Sequence, residues 1–178
     1  MLAMGIMLIV LTAIISLFTS LNRMYTTQGV AAGVQQVARA GIDIMTRNIR
    51  MAGLDPLGIN TIGIVQATAD TIRFRYDTDG DGTIATDGDE DIAYSLNAEN
   101  ADKKQLVQVK NGSGTPYPMI DHVSDLTFTY RDADDEETTD LGAIRTVEVS
   151  LTVEEPAGRG KVLSRTYSTL VICRNLNL

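Results

Sequence analysis

The stretch that decides the fold is residues 1–22, MLAMGIMLIVLTAIISLFTSLN, in which no side chain is charged. The polar side chains before Asn22 are all hydroxyls, which can bond back to carbonyl groups of the same helix. As a helix of ~1.5 Å per residue, the stretch up to Leu21 is about 31 Å long and can cross a hydrocarbon core. The alternative, a cleaved secretory signal, needs a basic n-region and a small-x-small cleavage site, which FTSL at 18–21 does not provide. We therefore predict a membrane-spanning helix.

The helix is predicted to continue well beyond this apolar stretch, because residues 24–52 lack proline and repeat apolar residues at helical spacing. The apolar stripe consists of Val30, Val34, Ala38, Gly41, Ile42, Met45, Ile49 and Ala52. The other faces carry mostly polar residues, namely Gln35, Gln36, Arg39, Asp43, Arg47 and Arg50. Gly53 provides a C-terminal cap and Pro56 prevents continuation. The prediction is one helix of about 50 residues, apolar all round at first and amphipathic afterwards.

After Pro56 the sequence pattern changes to that of short β-strands. Residues 125–131 and 144–153 alternate between apolar and polar side chains, and residues 162–173 follow a glycine-containing turn and complete a hairpin. Four shorter β-rich segments precede them, at 61–67, 71–76, 92–96 and 105–110. Because an antiparallel sheet of this pattern has one apolar face, we expect the helix stripe to cover it.

The predicted fold class is therefore α+β, with a long N-terminal helix packed on an antiparallel β-sheet. Residues 1–22 form the transmembrane half of the helix and residues 23–55 form the amphipathic half that packs on the sheet. Residues 56–178 form the antiparallel β domain. With no repeat or flexible linker in between, helix and sheet are expected to fold as one unit.

The charge is unevenly distributed along the chain. Residues 1–50 carry four arginines against Asp43, a net charge of +3, which leaves −11 for the rest because the total is −8. An acidic domain repels phosphate backbones, so we expect no nucleic-acid partner. The single cysteine, Cys173, excludes an intramolecular disulfide and cysteine-rich zinc sites.

One loop carries candidate metal ligands. Residues 77–82, DTDGDG, match the opening of a calcium loop, in which alternating acids present oxygens and a glycine makes the turn. Position twelve of an EF-hand would be glutamate and is Gly88 here, but nearby acids can substitute in a non-EF geometry, namely Asp87, Asp89, Glu90 and Asp91. We expect Ca²⁺ because so many carboxylates repel one another without a cation, and the candidate ligands are Asp77, Asp79, Asp81, Asp87 and Asp89. The alternative is a solvated acidic hairpin, which is also our interpretation of residues 132–137.

Catalytic residues are not evident. His122, the only histidine, follows Asp121, but no Gly-x-Ser-x-Gly element or similar nucleophile accompanies the pair. We interpret His122 as a surface or hydrogen-bonded structural residue. Cys173, in a strand with only Arg174 as an activating neighbour, is expected to be a small buried hydrophobe.

Three stretches resemble type IV pilins. Residues 3–20 and Tyr25-Thr26-Thr27-Gln28 look like the N-terminal pilin helix. The most specific stretch is residues 40–53, AGIDIMTRNIRMAG, which is similar to the D-x-M-x-R-x-I-R-x-A-G helix end of PilW-type minor pilins. Residues 171–176, VICRNL, resemble the closing strand of those proteins. The likeness covers the first 56 residues well and the last 50 more loosely.

The resemblance implies a minor type IV pilin, a structural subunit that primes assembly of a pilus-like filament or caps it, and not an enzyme. Its implied partners are other pilin subunits through the N-terminal helix, inner-membrane lipid and the pilus assembly platform. The implied topology is a single pass through the inner membrane with the β domain in the periplasm, and a cell-surface filament after assembly. The alternatives are a type II secretion minor pseudopilin, a membrane-tethered calcium-binding or adhesive domain outside any filament and, last, an anchored hydrolase.

The resemblance also implies residues upstream of Met1. Pilin precursors begin with a short basic leader, followed by a glycine cleavage site and a glutamate at the fifth mature position. Residues 1–5, MLAMG, read like the stretch just after that glutamate. We therefore expect that the true start lies upstream or that the chain was trimmed, so that the leader and first mature residues are missing.

Overall fold

The computed structural model describes residues 2–58, 62–85, 89–97, 104–112, 114–156 and 162–177. Helix α1 runs without interruption over Leu2–Ile49. Within its apolar part, Thr12 Oγ1 donates hydrogen bonds to the carbonyls of Leu8 (3.0 Å) and Ile9 (2.8 Å), as expected of hydroxyls in a lipid-facing helix. The boundary predicted at residue 22 falls inside this continuous helix.

The helix ends in a turn that connects it to the sheet. Gly53 has φ +81°, a left-handed conformation that glycine adopts without strain. Its N–H donates to the carbonyl of Arg75 at 3.0 Å. Gly53 thus has the left-handed conformation of the predicted cap, but it lies beyond the last helical residue, Ile49, and its N–H joins the turn to Arg75 and not to a helix carbonyl.

Eight strands of the described chain form two antiparallel sheets, a five-stranded one of order β1-β2-β3-β4-β5 and a three-stranded one of order β6-β7-β8. Their bounds are Gly63–Ala67, Thr71–Arg75, Asp91–Asn97, Gln105–Lys110, Tyr117–Ile120, Val123–Arg131, Thr146–Pro156 and Val162–Ile172, for β1 to β8. A short 3₁₀ helix, Arg174–Asn177, follows β8.

Two features of the sheets differ from the sequence-based expectation. The strands form two sheets rather than one, because β6 meets the first sheet through isolated hydrogen bonds, such as Phe128 N to Ala69 O at 2.8 Å, and not through a ladder. Strand β5 was not predicted, since it is only four residues long and contains Pro118, which favours edge positions.

The core lies between α1 and the two sheets. The stripe predicted on the helix is confirmed: Val30 is half-buried and the seven positions from Val34 to Ala52 are buried. The alternation predicted for β6 and β7 is also confirmed, with one face of each strand in the core: Leu126, Phe128, Tyr130, Val147, Val149, Leu151 and Val153. Because the helix stripe packs on these residues, α1 and the β domain share a single core.

A buried polar group connects the helix to the first sheet. The hydroxyl oxygen of Tyr94, a residue with no exposed surface, accepts hydrogen bonds from Asn48 Nδ2 at 2.6 Å and Gln108 Nε2 at 2.9 Å. Asn48 lies on α1 and Gln108 on β4, so this one oxygen fixes the helix relative to two strands.

Candidate functional site

The first half of α1 is the largest exposed apolar surface of the described chain. Every residue from Ala3 to Thr26 is exposed, including Met4 at 71% and Phe18 at 66%. This helix is long and apolar enough to cross a membrane, with a mean hydropathy of 2.4 over its most apolar window and none of that window buried. A soluble monomer rarely exposes a contiguous apolar patch of this extent. The surface therefore requires lipid or other protein around it, which is compatible with a single-pass anchor.

Small residues leave open space along the exposed surface of α1. A Cβ atom added to Gly5, Gly29 or Gly33 would meet no atom within 4 Å. Small residues allow another helix to approach closely in a membrane. These positions can therefore accept a neighbouring helix without rearrangement of the subunit itself.

Asp77 organises the start of the acidic loop. Its backbone N–H donates to the carbonyl of Leu54 at 2.8 Å, which places the residue beside the end of α1, and its side chain is completely buried. Its carboxylate accepts hydrogen bonds from the N–H groups of Gly80 (2.6 Å) and Gly82 (3.0 Å). Both glycines have positive φ, +73° and +78°, which turns their N–H groups inward. The loop conformation therefore requires the predicted turn glycine, Gly82, and also Gly80, which was not predicted for this role.

Glu90 fixes the other end of the loop and was not among the five predicted ligands. It is 5% exposed, and its two carboxylate oxygens accept from Thr78 N and Ala85 N, each at 2.8 Å. Its place among the acids that follow Gly88 was the signal by which the sequence indicated it. Two buried carboxylates, those of Asp77 and Glu90, therefore fix the loop by accepting hydrogen bonds from its backbone.

Three carboxylates converge in this loop. Asp77, Asp79 and Glu90 each offer an oxygen atom, and these atoms lie within 4.8 Å of one another. Since Ca²⁺ takes oxygen ligands at about 2.3–2.6 Å, two ligands of one ion can lie up to about 5 Å apart. Each oxygen that accepts one N–H bond retains a lone pair for an ion. The three residues therefore fit Ca²⁺ as a partial ligand set.

The other predicted ligands have different surroundings. Asp81 is exposed, and hydrogen bonds from the hydroxyl and backbone N–H of Thr83 lower the pKa of its carboxyl group. Asp89 forms an ion pair with Lys110 at 2.5 Å, and Asp87 lies outside the described residues. The structure thus brings Asp77 and Asp79 together and adds Glu90, while Asp81 and Asp89 lie outside that group of three.

His122 lies in the turn between β5 and β6, with φ +59°. Its Nε2 is 4.0 Å from Oε1 of Glu155, whereas Asp121 accepts a hydrogen bond from Gln105 Nε2 at 2.5 Å. A shallow cavity of about 320 Å³ adjoins His122 and includes Ser124, whose hydroxyl donates weakly to a backbone carbonyl at 3.4 Å. In the described part of the chain, His122 is therefore not hydrogen-bonded to Asp121 or to Ser124.

Cys173 lies in the core. It has no exposed surface, its Sγ is 3.8 Å from the carbonyl oxygen of Ile49, and burial raises the pKa of its thiol to about 11. The interpretation as a small buried hydrophobe is confirmed.

Comparison with models of protein families gives no match. Comparisons with curated proteins and with solved structures give no match either.

Proposed function

We propose that this chain is a minor type IV pilin, a structural subunit that primes assembly of a pilus-like filament or caps it. The observation that carries the proposal is that one continuous helix has two parts with different surroundings. Residues 3–21 are exposed and carry no charge, whereas the stripe from Val34 to Ala52 is buried against the sheets. A subunit that exchanges lipid for neighbouring helices needs such a helix, and the resemblance of residues 40–53 to PilW-type minor pilins agrees with it.

The mechanism follows from the surface chemistry of the helix. In the inner membrane the exposed half of α1 stores the subunit as a lipid-embedded monomer. When the assembly platform extracts it, the same side chains pack against helices of other pilin subunits. Ala3, Gly5 and Ala13 are small enough to allow close packing, and Gly5 has open space in the isolated subunit. The β domain lies in the periplasm before assembly and on the filament surface afterwards.

Two alternatives have the same anchor. A minor pseudopilin of type II secretion would use the helix in the same way, but its loss would block protein secretion rather than surface filaments. A membrane-tethered calcium-binding or adhesive domain would remain in the membrane. The acidic loop favours this second alternative, since an adhesive domain can use a cation site without assembling.

The test is to shear surface filaments from cells that encode this chain and to measure whether the chain is recovered in the sheared fraction or in the membrane fraction. Wild type is expected in the sheared fraction, and Gly5→Leu is expected to remain in the membrane fraction because its side chain occupies the space for a neighbouring helix. Ile6→Leu, which keeps the volume constant, is the matched control and should behave like wild type. A chain recovered from membranes alone, for wild type as for Gly5→Leu, would contradict the filament proposal and favour the tethered domain.

We also propose that Asp77, Asp79 and Glu90 bind Ca²⁺. The bound ion would neutralise converging carboxylates and fix the loop that follows β2. Asp79 is the residue to change, because it is exposed and accepts one backbone hydrogen bond, from Asp81 N at 3.1 Å, whereas the other two carboxylates are buried and accept two each. Addition of Ca²⁺ after chelation should raise the melting temperature of wild type and of Asp134→Asn, a change in the second acidic loop. It should have little effect on Asp79→Asn, and an equal rise for both variants would contradict the site.

A further inference from the structure

The edge strands of the two sheets differ in how well they are protected from pairing with another chain. Strand β1 is five residues long with an irregular register at Ile64/Gln66, and β5 is four residues long, contains Pro118 and pairs irregularly with β4. Short length, bulges and proline are the devices by which proteins protect an edge from pairing with another chain. The edge of β6 is flanked by the first sheet, to which Val123 and Phe128 donate backbone hydrogen bonds.

Strand β8 has none of these devices. It is eleven residues long and pairs with β7 in an unbroken register from Val162 to Ile172. It contains no proline, and Arg165 is its only charged residue. None of the residues from 162 to 170 is buried, and Val162 and Leu170 are each 59% exposed. Within the described chain, this edge therefore presents a long row of backbone groups that have no strand partner.

We propose that β8 is a dimerisation edge, which pairs in antiparallel fashion with β8 of a second copy of this chain. In the register centred on Thr166, exposed Val162 lies opposite exposed Leu170 of the second copy. Arg165 lies opposite Tyr167 of the second copy, an aromatic ring that attracts a cation, so the two arginines do not face each other. Such cross-strand pairs are the unit of sheet stabilisation, and all nine residues of the pairing are accessible.

The length of the edge favours a second β8 over the other edges of a second copy. Pairing with β1 or β5 would extend over at most five or four residues and leave more than half of β8 without a partner. Pairing of β8 with β8 of a second copy gives nine residues in each copy a strand partner. Both β8 edges are then occupied, so no third copy can add to them. A closed, two-fold arrangement produces a dimer and not an open fibre.

The symmetry has a consequence for the membrane helices. The two-fold axis of an antiparallel strand pair is perpendicular to the sheet, so it reverses every direction in the sheet plane. The buried positions of α1 from Val34 to Ile49 extend along the core over about 22 Å, so the helix axis runs along the sheet and not away from it. The helices of the two copies therefore point in opposite directions. The dimer therefore joins copies whose helices are anchored in two different bilayers or filaments. The dimer itself is inferred from β8 alone and does not depend on the proposed function.

The test uses the full chain in detergent micelles with cysteine placed at Thr166. Oxidation of Thr166→Cys is expected to produce a covalent dimer, since residues opposite one another in an antiparallel pair are about 4.5–5.5 Å apart, within disulfide range. Thr127→Cys, on β6 of the same sheet, is the matched control. It lies two strands from the edge and its two copies are too far apart for a disulfide. Equal dimer yields for the two variants would overturn the proposal.

A second measurement tests the free edge without cysteine. Thr166→Lys places two like charges opposite each other across the two-fold axis and should raise the dissociation constant of the dimer about fivefold. Thr127→Lys should leave the dissociation constant unchanged. Vesicles that carry the wild-type chain should cluster, and those with Thr166→Lys should cluster less. A monomeric wild type at tens of micromolar would overturn the dimer, and a dimer without vesicle clustering would overturn the opposed arrangement.

Discussion

Gly41→Ala and Gly33→Ala make the same chemical change in the same helix and should have opposite effects on stability. Alanine is favoured over glycine in a helix by about 1 kcal/mol. At Gly33 a new Cβ meets no atom within 4 Å, so the change should stabilise the protein by about that amount. The environment of Gly41 is different, because this residue is buried against β5.

At Gly41 a new Cβ would overlap Cδ1 of Ile120 and lie 3.2 Å from its Cγ1 and 3.8 Å from Cδ2 of Leu106. Ile120 is 4% exposed, so its side chain cannot move into solvent. Overpacking of a core costs about 1–3 kcal/mol, which exceeds the gain in helix propensity. Gly41→Ala should therefore destabilise the protein by about 1 kcal/mol, so that the two alanine variants differ by roughly 2 kcal/mol.

The assay is urea unfolding of the full chain in detergent, followed by the near-ultraviolet circular dichroism of the tyrosines, since the chain has no tryptophan. Ile120→Val removes the overlapping Cδ1 and should cost about 1 kcal/mol alone. The double variant with Gly41→Ala and Ile120→Val should lose much less unfolding free energy than the sum of the losses in the two single variants. If Gly41→Ala stabilised the protein as much as Gly33→Ala, the close approach of α1 to β5 would be refuted.

Two further substitutions and one labelling experiment test the core and the charged groups. Burial alone would raise the pKa of Asp91, but hydrogen bonds from Arg73 and Arg75 and their charges lower it below 3.8. A lowered pKa contributes stability above pH 3.8 that is lost at more acidic pH, so Asp91→Asn should cost about 2–3 kcal/mol at pH 7 and much less at pH 2 in urea titrations. Tyr94→Phe should cost about 1–3 kcal/mol, since two buried amide donors lose their acceptor, and equal midpoints for wild type and variant would contradict this. The thiol of Cys173, whose pKa burial raises to about 11, should react with a maleimide only after unfolding, and rapid labelling of the native chain would argue against its burial.

The helix and the late strands were predictable because each has one regular environment. From Val34 to Ala52 one face of α1 meets the core, so its pattern follows the helical period. In β7, residues from Val147 to Val153 alternate because one face packs on the core and the other faces solvent. The split into two sheets was not predictable, since the sequence pattern marks strands and not the partners with which they pair. Strand β5, whose Pro118 argues against a strand, became visible only through its pairing with β4.

The acidic loop was also only partly predictable from the sequence. Gly82 was correctly associated with a turn, because positive φ is a local property, whereas the positive φ of Gly80 was not predicted. The role of Glu90 depends on its distance from Asp77 across the loop, and sequence spacing does not report that distance. Its two hydrogen bonds to backbone N–H groups at either side of the loop also show that the carboxylates define the loop conformation. An ion would thus add to a loop that is already ordered by its own hydrogen bonds.

A short segment of α1 separates its exposed apolar part from the part that is buried against the sheets. Arg23 is the first charged residue after the apolar stretch, and Val34 is the first buried residue of the helix, which leaves a neck of about 16 Å between the apolar stretch and the β domain. Gly29 and Gly33 lie in this neck, where glycine weakens a helix and where Val30 is only half-buried against the core. The open space at both glycines would let a neighbouring helix provide additional support. Assembly would then stabilise the segment of the helix that the isolated subunit leaves weakest, which links the low helix propensity of the neck to the proposed filament.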